Sequence, residues 1–248
     1  MTANPYRYLK VCALAGPFFL VITIVFWAIM GNNVPPPSPA LSPEDFVARL
    51  HAHEYAFRFG MTAELFFSVL YLVWGLAIAK VMQAVEQDND ILSQLQLWGA
   101  GLTTVAFMVP SAVWVGVSYR SSTVDPATLQ MMFDMAWILF VVSGSTVTLQ
   151  VVSFGTCFLN DPRPVPLVPR ALSWFAIWVG LSFVLTMTLP FFMSGPFSRS
   201  GTVNFWMEFT LFFTFMASAS VLVIRAVGRL EAEHRQGVNT TRKVGANA

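Results

Sequence analysis

Three carboxylic acids lie inside long apolar segments of this chain, where an ionisable side chain is costly. Glu64, Asp134 and Glu208 fall roughly five to eight residues into the second, fourth and sixth apolar segments. A charged side chain at the centre of a spanning helix costs about 2.5–3.5 kcal/mol on insertion scales, so such residues usually serve a function. Buried carboxylic acids can protonate an apolar substrate, anchor a ligand, hold a metal or relay protons. The pattern therefore points to a buried acidic site.

Asp134 is the strongest candidate of the three, because its short side chain cannot easily reach the membrane interface. We expect Asp134 and Glu64 to anchor the polar end of a ligand, with Arg120 as counter-ion, or to serve as the general acid of an enzyme. The alternative for each carboxylate is a structural ion pair, and for Glu208 a favourable place near the positive end of a helix dipole. The predicted ligand-binding residues are Glu64, Trp114, Tyr119, Arg120, Asp134, Trp137, Trp206 and Glu208.

Residues suited to metal or cofactor chemistry are few. The chain has 3 histidines, of which His51 and His53, joined to Glu64 and Asp134, would offer imidazole and oxygen ligands. We favour no metal, because the histidine-rich patterns of membrane oxygenases are absent. No dinucleotide-binding or phosphate-binding glycine motif is present, so no cofactor is expected. The net charge of +1 supplies no basic field for nucleic acid.

The composition indicates a membrane protein. Hydrophobic residues make up 56% of the 248 residues and charged residues 11%, against about 25% charge in a typical soluble domain. Six windows are long and apolar enough to span a bilayer: roughly 10–30, 59–83, 97–118, 129–158, 171–193 and 203–227. The sequence predicts an all-α, polytopic membrane helix bundle. Residues 1–228 form its six-helix transmembrane domain and residues 229–248 a polar tail, expected to be disordered.

The distribution of positive charge predicts the orientation. With the N-terminus in the cytoplasm, ten Lys and Arg residues lie inside, and Arg49, Arg58, Arg120 and Arg199 lie outside. The positive-inside rule then places both termini in the cytoplasm. We expect a multi-pass protein of a bacterial inner membrane, in contact with lipid.

Two connections on the outer side are candidate covers of the bundle. Ser42 followed by Pro43 and two acids is typical of a helix start, and Phe46, Leu50, His53 and Phe57 then share one helical face. We expect a short surface helix over 43–57 that covers the mouth of the bundle. The connection after the fifth span, 189–206, is rich in aromatic residues, glycine and proline. It is either part of the interfacial aromatic belt or a rigid lid.

The C-terminal two-thirds of the chain resembles an uncharacterised family of bacterial six-span integral membrane proteins. The residues that carry the resemblance are Tyr119-Arg120, Asp134 with Trp137, Pro169-Arg170, Pro190-Phe191-Phe192, Gly195-Pro196-Phe197 and Phe205-Trp206. The segment around Ser143 departs from the proline-containing pattern of that family. The resemblance implies the six-span architecture and no established activity.

Three classes of function remain open from the sequence. The favoured one is binding or transport of a small hydrophobic molecule through a Phe- and Met-lined cavity in the outer half. The second is a cofactor-free isomerase or cyclase of a lipid, sterol or terpenoid, with a protonated Asp134 or Glu64 as general acid. The third is a structural subunit of a larger membrane complex, and assembly as a homo-oligomer is compatible with each.

Overall fold

Six long helical spans build the protein. The computed structural model describes residues 6–87 and 89–246, with the backbone alone for residues 237–246. The described residues contain helices and no strand, and the six spans are Tyr6–Met30, Glu54–Glu86, Ile91–Tyr119, Pro126–Leu159, Arg170–Phe191 and Thr202–Gln236. Each is long and apolar enough to cross a membrane. The prediction of an all-α, six-span membrane bundle is confirmed.

A short helix, Pro43–Ala52, lies on the bundle surface between the first two spans. It begins as predicted, with the Ser42 hydroxyl accepting a hydrogen bond from the Asp45 backbone N–H at 3.1 Å. Phe46 and Leu50 are buried, and the Phe46 ring lies 4.9 Å from that of Phe133 at the start of the fourth span. We call the side of the bundle that carries this helix the surface-helix side.

The surface helix is shorter than predicted. His53 leaves the helical conformation with φ −135° and ψ 21°, so the helix ends at Ala52 and the second span begins at Glu54. His53 is therefore exposed rather than on the buried face. The earlier start of the second span also sets Glu64 one turn deeper than the sequence windows indicated.

The proline-rich segment before the surface helix is fastened across the mouth of the bundle. Arg49 donates hydrogen bonds to the carbonyl oxygens of Asn32 at 3.2 Å and Pro35 at 3.1 Å. The Gln130 amide donates to the Leu41 carbonyl oxygen at 2.9 Å. These contacts join the connection to the fourth span, which agrees with the predicted cover of the mouth.

The fourth span starts with a complete N-cap. Asp125 Oδ1 accepts a hydrogen bond from the Thr128 backbone N–H at 3.0 Å, and Pro126 occupies the first turn. Hydrogen bonds from Thr128 hold the pKa of the Asp125 carboxyl below its ordinary value. The cap fixes where this span begins and hence the depth of Asp134.

Five of the six spans change or interrupt their helix. The first is α-helical over Tyr6–Ile22 and a π-helix over Thr23–Met30. The second breaks at Ser68, between Glu54–Phe67 and Val69–Glu86. The fourth consists of Pro126–Val142 and Ser145–Leu159. The fifth changes from an α-helix, Arg170–Ser182, to a 3-10 helix, Phe183–Phe191. The sixth changes from a π-helix, Thr202–Met207, to an α-helix, Glu208–Ala246. The third is one α-helix, Ile91–Tyr119.

A glycine lets the fifth span pack closely against the break in the fourth. A Cβ atom on Gly144 would lie 2.6 Å from Phe183 Cδ1 and 3.1 Å from Thr186 Oγ1. Only a residue without a side chain lets the fifth span approach this closely. Irregular backbone at membrane depth is tolerated only where protein buries it or a cavity adjoins it. The breaks therefore predict close packing or a cavity between the spans.

The final helix differs from the prediction. It does not end near residue 227 but continues to Ala246, through residues that were expected to form a disordered tail. Glu231 forms ion pairs with Lys10 of the first span and, at 2.5 Å, with Arg235 one turn further on. Arg229 donates to the carbonyl oxygens of Pro166 at 2.8 Å and Val165 at 2.9 Å. These contacts hold the helix in place beyond residue 227, its predicted end.

Candidate functional site

A cavity lies between the spans at the level where the helices change. The cavity is small, with a volume of about 50 Å³. A single water needs about 10–15 Å³ by that measure. The lining residues are Thr23, Thr103, Ala106, Phe107, Phe140, Val141, Ser143, Gly144, Thr146, Val147, Phe183, Thr186, Asn204, Glu208, Phe209, Phe212 and Phe213. Five spans contribute to this lining.

Four of the five helix changes contribute a residue to the cavity. Thr23 begins the π-helix of the first span, Gly144 belongs to the break in the fourth, Phe183 begins the 3-10 helix of the fifth, and Glu208 begins the α-helix of the sixth. The cavity lies closer to the middle of the bundle than the predicted outer half. Thr103 is near the centre of the 29-residue third span, and Thr146 is beyond the centre of the fourth.

Glu208 is the one ionisable residue in the cavity lining. Its side chain is 1% exposed, and Oε2 accepts a hydrogen bond from the Ser182 hydroxyl at 3.0 Å. Its other oxygen, Oε1, has no hydrogen-bond partner among the described residues. Buried polar atoms are nearly always paired in folded proteins, so an unpaired carboxyl oxygen at a cavity is a candidate ligand contact.

Glu64 reaches the same cavity through Thr23. The Thr23 hydroxyl donates a hydrogen bond to Glu64 Oε1 at 3.0 Å, while Thr23 itself lines the cavity. Glu64 is completely buried, and Oε2 has no partner among the described residues. The sequence left open whether the carboxylates of the second and sixth spans converge, and the structure places Glu208 in the cavity lining and Glu64 behind Thr23. Thr23 was not among the predicted residues.

Neither glutamate has a basic partner within residues 6–87 and 89–236. The two arginines nearest in sequence are engaged elsewhere. Arg58 contacts Glu54 and donates to the Ser118 carbonyl oxygen, both at 2.5 Å. Arg199 pairs with Asp134. The alternative of a structural ion pair therefore does not describe Glu64 or Glu208, whereas Glu208 does lie in the first turn of an α-helix, the place that we named as its alternative.

Asp134 has a different environment from the one predicted. Its Oδ1 accepts a hydrogen bond from Arg199, and Asp134 lies outside the cavity lining. We expected Arg120 as its counter-ion, which is wrong: Arg120 is exposed at the end of the third span, with its guanidinium 5.5 Å from the Tyr119 ring. Arg199 reaches Asp134 because the connection between the fifth and sixth spans folds inward. Asp134 thus has the structural ion pair that we named as its alternative.

Arg199 is the centre of a buried contact set. Its side chain is 4% exposed, and Nε donates to the Pro37 carbonyl oxygen at 3.0 Å. The guanidinium lies 5.4 Å from the Phe133 ring centre and 5.7 Å from that of Trp137. Burial lowers the pKa of the Arg199 guanidinium, and the Asp134 carboxylate opposes that change. Arg199 joins the connection after the fifth span to the proline-rich segment and to the fourth span. Such contacts are expected of a rigid lid, one of the two alternatives for residues 189–206.

An aromatic layer separates this ion pair from the cavity. Trp114 and Trp137 are fully buried with ring centres 5.5 Å apart, and Trp27 stacks on Phe209 at 5.2 Å and 9°. Phe140 contacts all three tryptophans and also lines the cavity. Trp114 and Trp137, predicted to line the cavity, therefore stand one layer behind it.

The remaining predicted residues lie at the surface. Trp206 is 47% exposed and Tyr119 is 68% exposed, and neither lines the cavity. His51 and His53 are exposed on the surface-helix side, away from the fully buried Glu64. No group of three His, Cys, Asp or Glu side chains that could hold a metal ion occurs in the part of the chain that was described with side chains.

Several lining residues were missed from the sequence because serine, threonine and asparagine are common in spans. Asn204 is buried, its amide donates to Thr188 Oγ1 at 3.0 Å and to the Phe197 carbonyl oxygen at 2.5 Å, and its Oδ1 has no partner among the described residues. Ser182 and Thr23, which bond the glutamates, were also missed. Hydroxyl residues near a helix break could have been singled out only if the breaks were visible in the sequence.

Comparison with known protein families, with curated proteins and with solved structures found no match. The resemblance to a bacterial six-span family accordingly stays an expectation.

Proposed function

We propose that this multi-pass membrane protein binds a small, mainly apolar molecule in the central cavity and carries it across the membrane. The observation that carries the proposal is the coincidence of the cavity with four helix changes. Discontinuous helices near the bilayer midplane are a recurring way to build substrate sites in transporters. A span that is broken at the site can tilt on one side of the break while the other side stays packed.

The lining chemistry supports an amphipathic ligand. Phe107, Phe140, Phe183, Phe209, Phe212 and Phe213 supply six aromatic rings. The polar groups are five hydroxyls, the Asn204 amide and the Glu208 carboxyl. Ligand sites are typically apolar with a few placed polar groups that orient the ligand. We therefore assign the apolar body of the ligand to the phenylalanines and its polar end to Glu208.

We further propose the orientation and membrane indicated by the charge distribution. Arg49, Arg58, Arg120 and Arg199 are the basic residues on the surface-helix side, and the other ten belong to the opposite side or the termini. The positive-inside rule supports both termini in the cytoplasm of a bacterial cell, with the surface helix outside the inner membrane. A membrane-impermeant thiol reagent should label Ala48→Cys, on the exposed face of the surface helix, in intact cells.

Native mass spectrometry of the protein released from mild detergent tests the binding proposal. We expect a retained small molecule, and its loss in Ala106→Phe, which places a ring in the cavity. Val105→Phe is the matched control, because Val105 is 51% exposed on the lipid face one residue earlier. Uptake of the identified molecule into proteoliposomes should fail with Ala106→Phe and persist with Val105→Phe. Equal retention by both variants, or retention without uptake, would contradict the proposal.

A further inference from the structure

The polar groups of the cavity present hydrogen-bond acceptors and almost no free donors. The Ser143 hydroxyl donates to the Phe140 carbonyl oxygen at 3.1 Å, and the Thr186 hydroxyl to that of Phe183 at 2.6 Å. The Asn204 amide hydrogens are used by Thr188 and Phe197. These bonds commit the donors, so the oxygens of these side chains remain as acceptors.

The remaining hydroxyls of the lining also donate their hydrogen to an oxygen of the protein. Thr146 donates to the Ser143 carbonyl oxygen at 3.0 Å, so the 2.9 Å bond between Thr103 and Thr146 is donated by Thr103. Thr23 donates to Glu64. The two lining atoms left without any partner among the described residues are Asn204 Oδ1, which accepts hydrogen bonds, and Glu208 Oε1, which accepts them once the carboxyl has lost its proton.

The charges around the cavity favour a ligand that is positively charged and donates hydrogen bonds. Glu208 is the one titratable group that the first, third, fourth, fifth and sixth spans place in the lining, and the second span adds Glu64 behind Thr23. No arginine, lysine or histidine lines the cavity. Isolated charges inside a membrane protein are costly, so each carboxyl must either hold a proton or meet a cation. Phenylalanine rings also attract cations through their electron-rich faces.

We propose that the cavity takes a hydrophobic organic ammonium ion and exchanges it for a proton. This inference rests on the proposed function and specifies its substrate class. The ammonium N–H groups donate to Glu208 Oε1 and Asn204 Oδ1, and the apolar body packs against the phenylalanines. As the ion binds, the Glu208 carboxyl releases its proton to solvent and becomes the counter-ion. The charge of the site is the same before and after, which removes the cost of an unpaired buried charge.

Two isosteric probes separate charge from hydrophobicity. The 2-phenylethylammonium ion and propylbenzene share a shape and a count of heavy atoms, and differ by an ammonium group in place of a methyl group. Calorimetric titration of the purified full-length protein should show binding of the ammonium ion at least about tenfold tighter than propylbenzene. In weakly buffered solution with a pH indicator, each ammonium ion bound should release about one proton. Its affinity should then rise about tenfold per pH unit over the range of that release.

A variant of Glu208 tests whether the proton released on binding comes from the cavity. Glu208→Gln should abolish proton release and reduce ammonium binding to the level of propylbenzene, because glutamine has the same shape and cannot ionise. Glu44→Gln is the control, because Glu44 is exposed in the first turn of the surface helix. It should retain binding and proton release, and its circular dichroism checks the folding of both variants.

The outcomes distinguish the two proposals. Equal binding of both probes without proton release would overturn the ammonium assignment and leave the binding of an apolar molecule intact. Proton release that persists in Glu208→Gln would also overturn it. Failure of both probes to bind, together with a bare polypeptide in native mass spectrometry, would overturn the proposed function as well.

Discussion

Arg199 and Asp134 form an ion pair that ties the connection after the fifth span to the start of the fourth. The guanidinium is almost fully buried, whereas the Asp134 side chain is 30% exposed. The pair stands behind an aromatic layer and apart from the cavity, so its contribution is to hold the surface-helix side of the bundle closed. Glu208 lines the cavity, and Glu64 lies behind the lining residue Thr23.

Replacement of Arg199 should destabilise the protein far more than replacement of Arg120. Arg199→Ala removes the ion pair, the bond to Pro37 and two ring contacts, and we expect a loss of roughly 2–4 kcal/mol. Arg120→Ala changes an exposed side chain and should stay within about 0.5 kcal/mol. Reversible unfolding in detergent compares the two. Similar losses for both variants would contradict the assignment of Arg199 as the partner of Asp134.

Glu208→Gln should stabilise the protein while it impairs ligand binding. An uncompensated buried carboxyl is costly, and its amide isostere removes the cost of ionisation, for an expected gain of about 1–3 kcal/mol at neutral pH. Glu54→Gln is the contrasting variant, because Glu54 accepts hydrogen bonds from Arg58 and Ser121, the latter at 2.7 Å. It should lose about 1 kcal/mol. Thermal unfolding at neutral pH measures both, and a destabilised Glu208→Gln would argue for a purely structural role.

Gly144→Ala should reduce the cavity and weaken ligand binding. The added methyl group would press on Phe183 and Thr186, both lining residues, and we expect a stability loss of about 1–3 kcal/mol from overpacking. Gly116→Ala is the matched control, because no atom lies within 4 Å of a Cβ at that helical position. It should be neutral or stabilising by about 0.5–1 kcal/mol. Binding titrations on both variants check this, and unchanged affinity in Gly144→Ala would show that the break is not part of the site.

The cap of the fourth span should make stability depend on pH in acid. Asp125 has a lower pKa in the folded protein than in the unfolded chain. Its charged cap therefore contributes fully above the ordinary aspartate pKa and is lost as the pH falls through the lowered value. Asp125→Ser keeps a cap without a charge, so the difference in melting temperature between wild type and this variant should shrink between about pH 6 and pH 2. A constant difference over that range would contradict the account.

The sequence determined the six spans, because the length and composition of a spanning segment depend on the bilayer rather than on neighbouring residues. It also determined the start of the surface helix at Ser42, since a helix cap is a local hydrogen-bond pattern. It singled out Glu64, Asp134 and Glu208 as candidates, because an ionisable group in an apolar segment is costly wherever it lies, and of the three Glu208 lines the cavity.

Only the tertiary structure decided the partners of those carboxylates. Arg199 rather than Arg120 reaches Asp134, because pairing depends on how a connection folds back over the bundle. Thr23 joins Glu64 to the cavity of Glu208, because helix rotation places residues of the first, second and sixth spans together. The close approach of the fifth span at Gly144 is also a tertiary feature, because it depends on Phe183 and Thr186 of another span.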